Sequence, residues 1–116
     1  MAAPVVHFEI MGKDGKELQN FYGKLFDWEI DANNPMNYGL VKASGQGGIG
    51  GGIGAAEAGA PGYVTFYVAV PDLEACLKKV ENMGGKTLVP PTEIPNMVTF
   101  ALFQDPEGNS IGIVKG

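Results

Sequence analysis

Residues 5–10, VVHFEI, and residues 63–70, YVTFYVAV, carry one pattern half a chain apart. In the first, Val6, Phe8 and Ile10 fall on one side of an extended chain, and Val5, His7 and Glu9 on the other. In the second, Val64, Phe66, Val68 and Val70 share a side, and Tyr63, Thr65, Tyr67 and Ala69 the opposite one. Each strand thus has a wholly apolar face, which suits a covering helix, and a mixed face, which suits a wetter surface. A helix signal follows each. Asp14 is placed to cap the first, with Glu17 three residues on, and Leu18, Phe21, Tyr22 and Leu25 recur as an amphipathic stripe. Asp72 is placed to cap the second, Leu73, Cys76, Leu77 and Val80 form its stripe, and Gly84 or Gly85 ends it. A chain built this way lays a helix on a strand twice.

The rest of each half reads as three short strands. In the first half they are Trp28–Ile30, Tyr38–Lys42 and a glycine run. In the second they are Lys86–Val89, Val98–Gln104 and Ser110–Lys115, the last two joined by the turn DPEGN. Pro90, Pro91 and Pro95 keep the stretch between the first two in turns or at a sheet edge. The order strand, helix, strand, strand, strand therefore occurs twice, as an internal repeat. It divides the chain into module 1, about residues 4–56, and module 2, about residues 62–116, of a single domain over 1–116. A length of 116 residues with 45% apolar content is enough for one domain with a core.

The glycine run, GQGGIGGGIG from Gly45 to Gly54, contains a G-x-G-x-x-G string. A dinucleotide site needs a helix to start inside that string, and a Walker motif needs Gly-Lys-Ser/Thr. Here AAEAGAPG follows and the next strand begins within a dozen residues, so neither fits. The repeat places the run as the last strand of module 1. Ile49 and Ile53 then share a face with Gly51 and are expected in the core. The opposite face, Gly48, Gly50, Gly52 and Gly54, is expected to leave room for a ligand or a second chain.

A net charge of −5, with eight basic residues spread along the chain and no more than two adjacent, disfavours nucleic acid and anionic membrane as partners. No apolar run reaches the roughly 18 residues of a membrane span, and the first residues lack a signal-peptide layout. The one cysteine, Cys76, allows no internal disulfide and fits a reducing, cytoplasmic setting, as a buried thiol.

With the repeat in view, the chain resembles the vicinal oxygen chelate superfamily, the glyoxalase, bleomycin-resistance and extradiol-dioxygenase relatives. The resemblance rests on HFEI…FYGKLFDWEI (7–30), GGIGGGI (47–53), YVTFYVAVPDLEACLKKVENMGGK (63–86) and FALFQDPEGNSIGIV (100–114), nearly the whole chain. It implies an α+β fold of two βαβββ modules whose curved mixed sheet makes a cup with helices outside, commonly assembled as a homodimer. In metal-dependent members, one position on the first strand and one on the last strand of each module hold a divalent metal, usually through His and Glu. Carried over, the first-strand position falls at His7 or Val5 in module 1, and at Tyr63 or Thr65 in module 2. The last-strand position of module 1 falls among Gly and Ile, and that of module 2 at Gly112.

A protein metal site takes three or four ligands, and His7 and Glu9 are the only candidates in this set. The expected function is therefore binding of a small apolar or aromatic molecule in the cup, with no cofactor. His7, Glu9, Tyr63, Thr65 and Tyr67 line the cup as ligand-binding residues, and no catalytic residue is assigned. His7 is either a partly buried histidine hydrogen-bonded to Tyr or Thr across the cup, a donor that orients the ligand, or a general base helped by Glu9. The other readings are a metal-dependent lyase or isomerase, a ring-cleaving dioxygenase, and a drug-sequestering resistance protein.

Overall fold

The structure, a computed structural model, describes residues 2–116. The elements run β1 (Val5–Gly12), α1 (Gly15–Phe26), β2 (Ile30–Asp31), β3 (Gly39–Val41), β4 (Gly50–Ala55), β5 (Tyr63–Val70), α2 (Leu73–Asn82), β6 (Lys86–Ile94), β7 (Val98–Gln104) and β8 (Ser110–Lys115). This is the expected α+β class, a βαβββ order repeated twice. Two compact units result: His7–Val64, and Thr65–Gly116 together with residues 2–6.

In the first unit the strand order is β2-β3-β4-β1. β4 lies parallel to β1, with His7 opposite Gly50 and Glu9 opposite Gly52, and antiparallel to β3. A parallel pair needs a crossover, and α1 starts it. The Asp14 carboxylate accepts from the Glu17 amide at 3.0 Å and caps the helix as its sequence demands. Gly15 lets the first turn ride directly on β4: a Cβ there would stand 2.8 Å from the Ala55 nitrogen. Gln19 then donates its side-chain amide to the Ile53 carbonyl at 2.7 Å. Ile53 and Val41 form the core of this unit.

The stripe of α1 is wider than its contact. Leu18 and Tyr22 are half-buried, whereas Phe21 and Leu25, expected inside, are 58% and 57% exposed. The glycines of β4 give the helix little to grip beyond Ile53, and the far end of α1 turns to aromatic partners instead. Trp28 stands 5.3 Å from Phe8, 6.0 Å from Tyr22 and 5.0 Å from Phe26, centroid to centroid.

In the second unit the order is β5-β8-β7-β6, with β8 parallel to β5 and β7 antiparallel to both of its neighbours. Asp72 caps α2 by accepting from the Ala75 amide at 3.0 Å. Gly84, at φ 98°, supplies the left-handed backbone just past the helix end. Leu73 and Leu77 pack with Ala101 and Ile113, with Cys76 at the margin. β6 runs further than expected, through Pro90 and Pro91 to Ile94. It is an edge strand with register shifts on both sides of Val89, which is where a ladder tolerates proline. In the DPEGN turn, Asp105 accepts from the Asn109 side chain and backbone and from the Glu107 backbone. These bonds hold its carboxyl below the usual aspartate range.

Candidate functional site

β4 occupies the second half of the glycine run, Gly50–Ala55, parallel to β1 as the repeat requires. Two details differ from expectation. Ile49 precedes the strand and is 40% exposed, while Ile53 is fully buried. The glycine faces are also not open. A Cβ on Gly51 would overlap the Phe8 ring, and one on Gly52 the Tyr38 ring. Gly51 and Gly52 are glycines because the chain's own aromatics lie against their backbone, whereas Gly45 and Gly47 take left-handed backbone at φ 71° and 79°. The second unit repeats the device: Gly112, opposite Tyr67 in the parallel ladder, lies beneath the Tyr67 ring.

The ring over Gly52 organises the polar residues of β1. Tyr38 is held at its backbone by Asn34, whose side chain accepts from the Tyr38 amide at 3.0 Å and donates to its carbonyl at 2.7 Å. Gln19 donates to the neighbouring Asn37 carbonyl at 3.1 Å. So placed, the Tyr38 hydroxyl lies 2.9 Å from His7 Nε2 and donates to Glu9 Oε1 at 2.8 Å. Tyr63, at the start of β5, donates to Glu9 Oε2 at 3.0 Å. The result is a continuous polar chain, His7–Tyr38–Glu9–Tyr63. Glu9 is its buried centre at 7% exposure, and Tyr63 its open end at 37%.

The electrostatics follow from that placement. Burial holds His7 below the ordinary imidazole range, and the nearby Glu9 charge opposes the shift only in part. Burial, then the charge and hydrogen bond of Glu9 and the charge of Glu57, push the Tyr63 phenol well above its usual range. Both shifts favour the uncharged forms of His7 and Tyr63.

Of the five residues expected at the site, His7, Glu9 and Tyr63 lie in the first unit and come together within it. Thr65 and Tyr67 belong to the other unit, where the Thr65 hydroxyl donates to the Ser110 carbonyl at 2.6 Å and Tyr67 packs edge-on to Phe100 at 6.5 Å. Tyr38 is the member that sequence reasoning missed. It lies in the loop just before β3, where no local pattern in the sequence marks it. Two shallow hollows, of about 200 and 270 Å³, lie elsewhere in this unit, one beside Glu29, Asp31 and Lys42, the other beside Gln19, Lys24 and Trp28. Neither is lined by a member of the polar chain.

These residues do not make up a metal's donor set. His7 Nε2 is taken up by Tyr38, both Glu9 oxygens accept phenols, and the backbone of Gly52 lies against the Tyr38 ring. Among the described residues no three His, Cys, Asp or Glu side chains converge as a metal would need. No helix is long and apolar enough to cross a membrane.

Comparison with known proteins bears on the same region. Residues 5–113 match the family described as Glyoxalase/Bleomycin resistance protein/Dioxygenase superfamily. The chain is 33% identical over 80 residues to "Putative glyoxylase CFP32" of Mycobacterium tuberculosis, covering 69% of this chain and 30% of that protein. It is 25% identical over 122 aligned positions to the anthracycline biosynthesis protein DnrV of Streptomyces peucetius, covering 91% of this chain and 44% of that protein. The chain thus spans less than half the length of these curated relatives. Its fold is shared with a solved superfamily member from Vibrio splendidus, at TM-score 0.64 and 18% identity, over 99% of this chain and all of that one. By sequence match and by fold, the chain belongs to the glyoxalase, bleomycin resistance protein and dioxygenase superfamily.

Proposed function

We propose that the chain binds a small apolar or aromatic molecule against the His7–Tyr38–Glu9–Tyr63 chain, without a catalytic metal. The observation that carries this reading is Glu9, a buried carboxylate whose two oxygens are both satisfied by phenols. A buried acid kept fully hydrogen-bonded inside the protein is a rigid polar anchor for a ligand, not a group waiting for a cation. The resemblance to a protein of anthracycline biosynthesis favours an aromatic ligand, because anthracyclines are polycyclic aromatics. Elemental analysis tests the metal half of the proposal. Purified protein should hold far less than one equivalent of Ni, Zn, Fe or Mn. One tightly bound metal per chain favours the lyase, isomerase or dioxygenase readings instead.

We further propose that the chain works as a homodimer joined through apolar faces. Phe21, Leu25 and Phe26 on α1 are each more than half exposed, Val64 is 72% exposed, and Phe66 is 39% exposed. Pairing through sheet edges is disfavoured, because β2 has two residues and β6 carries Pro90 and Pro91. Light scattering should give twice the chain mass of 12.2 kDa, and Phe21→Glu with Leu25→Glu should halve it. A monomeric wild type at micromolar concentration contradicts the proposal.

A further inference from the structure

The hydrogen bonds of the polar chain have a direction, and it sets what a ligand must offer. As a carboxylate, Glu9 only accepts. Its oxygens take the single hydroxyl protons of Tyr38 and Tyr63, at 2.8 and 3.0 Å. Each phenol oxygen can then only accept from elsewhere. At Tyr38 the partner is His7 Nε2, 2.9 Å away, which must carry the proton. At the open end the same logic applies to Tyr63, whose proton is committed to Glu9 while the residue is 37% exposed. A phenol that donates to an anion becomes a better acceptor itself. Glu57, whose charge is felt at Tyr63, adds a second negative charge at this end.

We infer that this site selects ligands by hydrogen-bond polarity: Tyr63 Oη accepts from an O–H or N–H group carried on an apolar body, and anionic ligands are rejected. The inference rests on the binding reading above and adds the ligand class, alcohols, phenols and protonated amines over carboxylates and phosphates. Tyr63 is the specificity-determining residue, and Tyr38 is a positioning residue that acts through Glu9.

Four probes on one ring system test it by calorimetry: methylnaphthalene, naphthalenemethanol, naphthalenemethylamine and naphthoate. The alcohol and the amine should bind at least five-fold more tightly than methylnaphthalene, and naphthoate more weakly than it. Tyr63→Phe should remove the advantage of the alcohol while leaving methylnaphthalene binding within two-fold. Equal affinities across the four overturn the inference but leave the binding reading standing. Absence of binding by all four overturns both. His7 is the single histidine of the chain, so nitrogen-detected NMR reads its tautomer directly. The hydrogen-bond direction requires a protonated Nε2, lost as a fixed preference in Tyr38→Phe, which keeps the ring over Gly52. A protonated Nδ1 with a bare Nε2 in the wild type overturns the direction, and with it the inference, whatever the probes do.

Discussion

Gly52→Ala is expected to lower stability by about 3 kcal/mol, the upper part of the range for overpacking a filled site. A single methyl group there meets the Tyr38 ring. The ring has no easy retreat. Its backbone is bonded to Asn34 at both the amide and the carbonyl, and its hydroxyl is held by His7 and Glu9. Swinging it away would strip Glu9 of one donor. The cost should therefore be shared with Tyr38: in the double variant Tyr38→Ala with Gly52→Ala, the two losses should add to less than their sum, by about 1 kcal/mol or more. Urea denaturation of the four proteins gives the cycle. A Gly52→Ala loss below about 0.5 kcal/mol, or strict additivity, would mean that the ring does not fill the space above the glycine.

Glu9→Gln carries the second large effect. The substitution keeps size and shape but replaces an anion that accepts from two phenols with an amide that accepts at one end and donates at the other. One phenol then faces an N–H group in a buried setting. Hydrogen bonds to a charged acceptor contribute roughly 1.5–3 kcal/mol each, so a loss of about 3 kcal/mol is expected. For a domain of this size that is a fall in Tm on the order of 10 °C. Tyr63→Phe removes a bond at the exposed end, so it should cost only about 1 kcal/mol. If thermal denaturation shows Glu9→Gln to be no worse than Tyr63→Phe, the buried carboxylate is not the centre of the network.

Much of the fold was legible because it rests on local chemistry. Alternation marked β1 and β5, Asp14 and Asp72 capped the helices that follow, and DPEGN closed its hairpin as read. What misled were features whose meaning depends on what lies across the sheet. A glycine face reads as open space in one dimension, yet the Tyr38 ring fills the space over Gly52 from the loop before β3. An amphipathic stripe reads as buried, yet its outer flank, Phe21 and Leu25, is exposed because the glycines of β4 give it little to pack on. Pro90 and Pro91, by contrast, read as turn or sheet-edge positions, and the edge strand β6 carries them through a bulge. At the site, His7, Glu9 and Tyr63 were legible from the mixed face of their strands. Tyr38 was not, because it reaches Glu9 across 29 residues of sequence through a loop whose conformation is set by Asn34 and Gln19.

The account centres on an anchor that works without metal. The direct test is a calorimetric titration of metal-stripped protein with naphthalenemethanol, repeated after adding Zn or Mn and again with Glu9→Gln. The account predicts the same affinity with and without metal, and at least a ten-fold loss in Glu9→Gln. Binding that disappears on stripping and returns with the metal would contradict it.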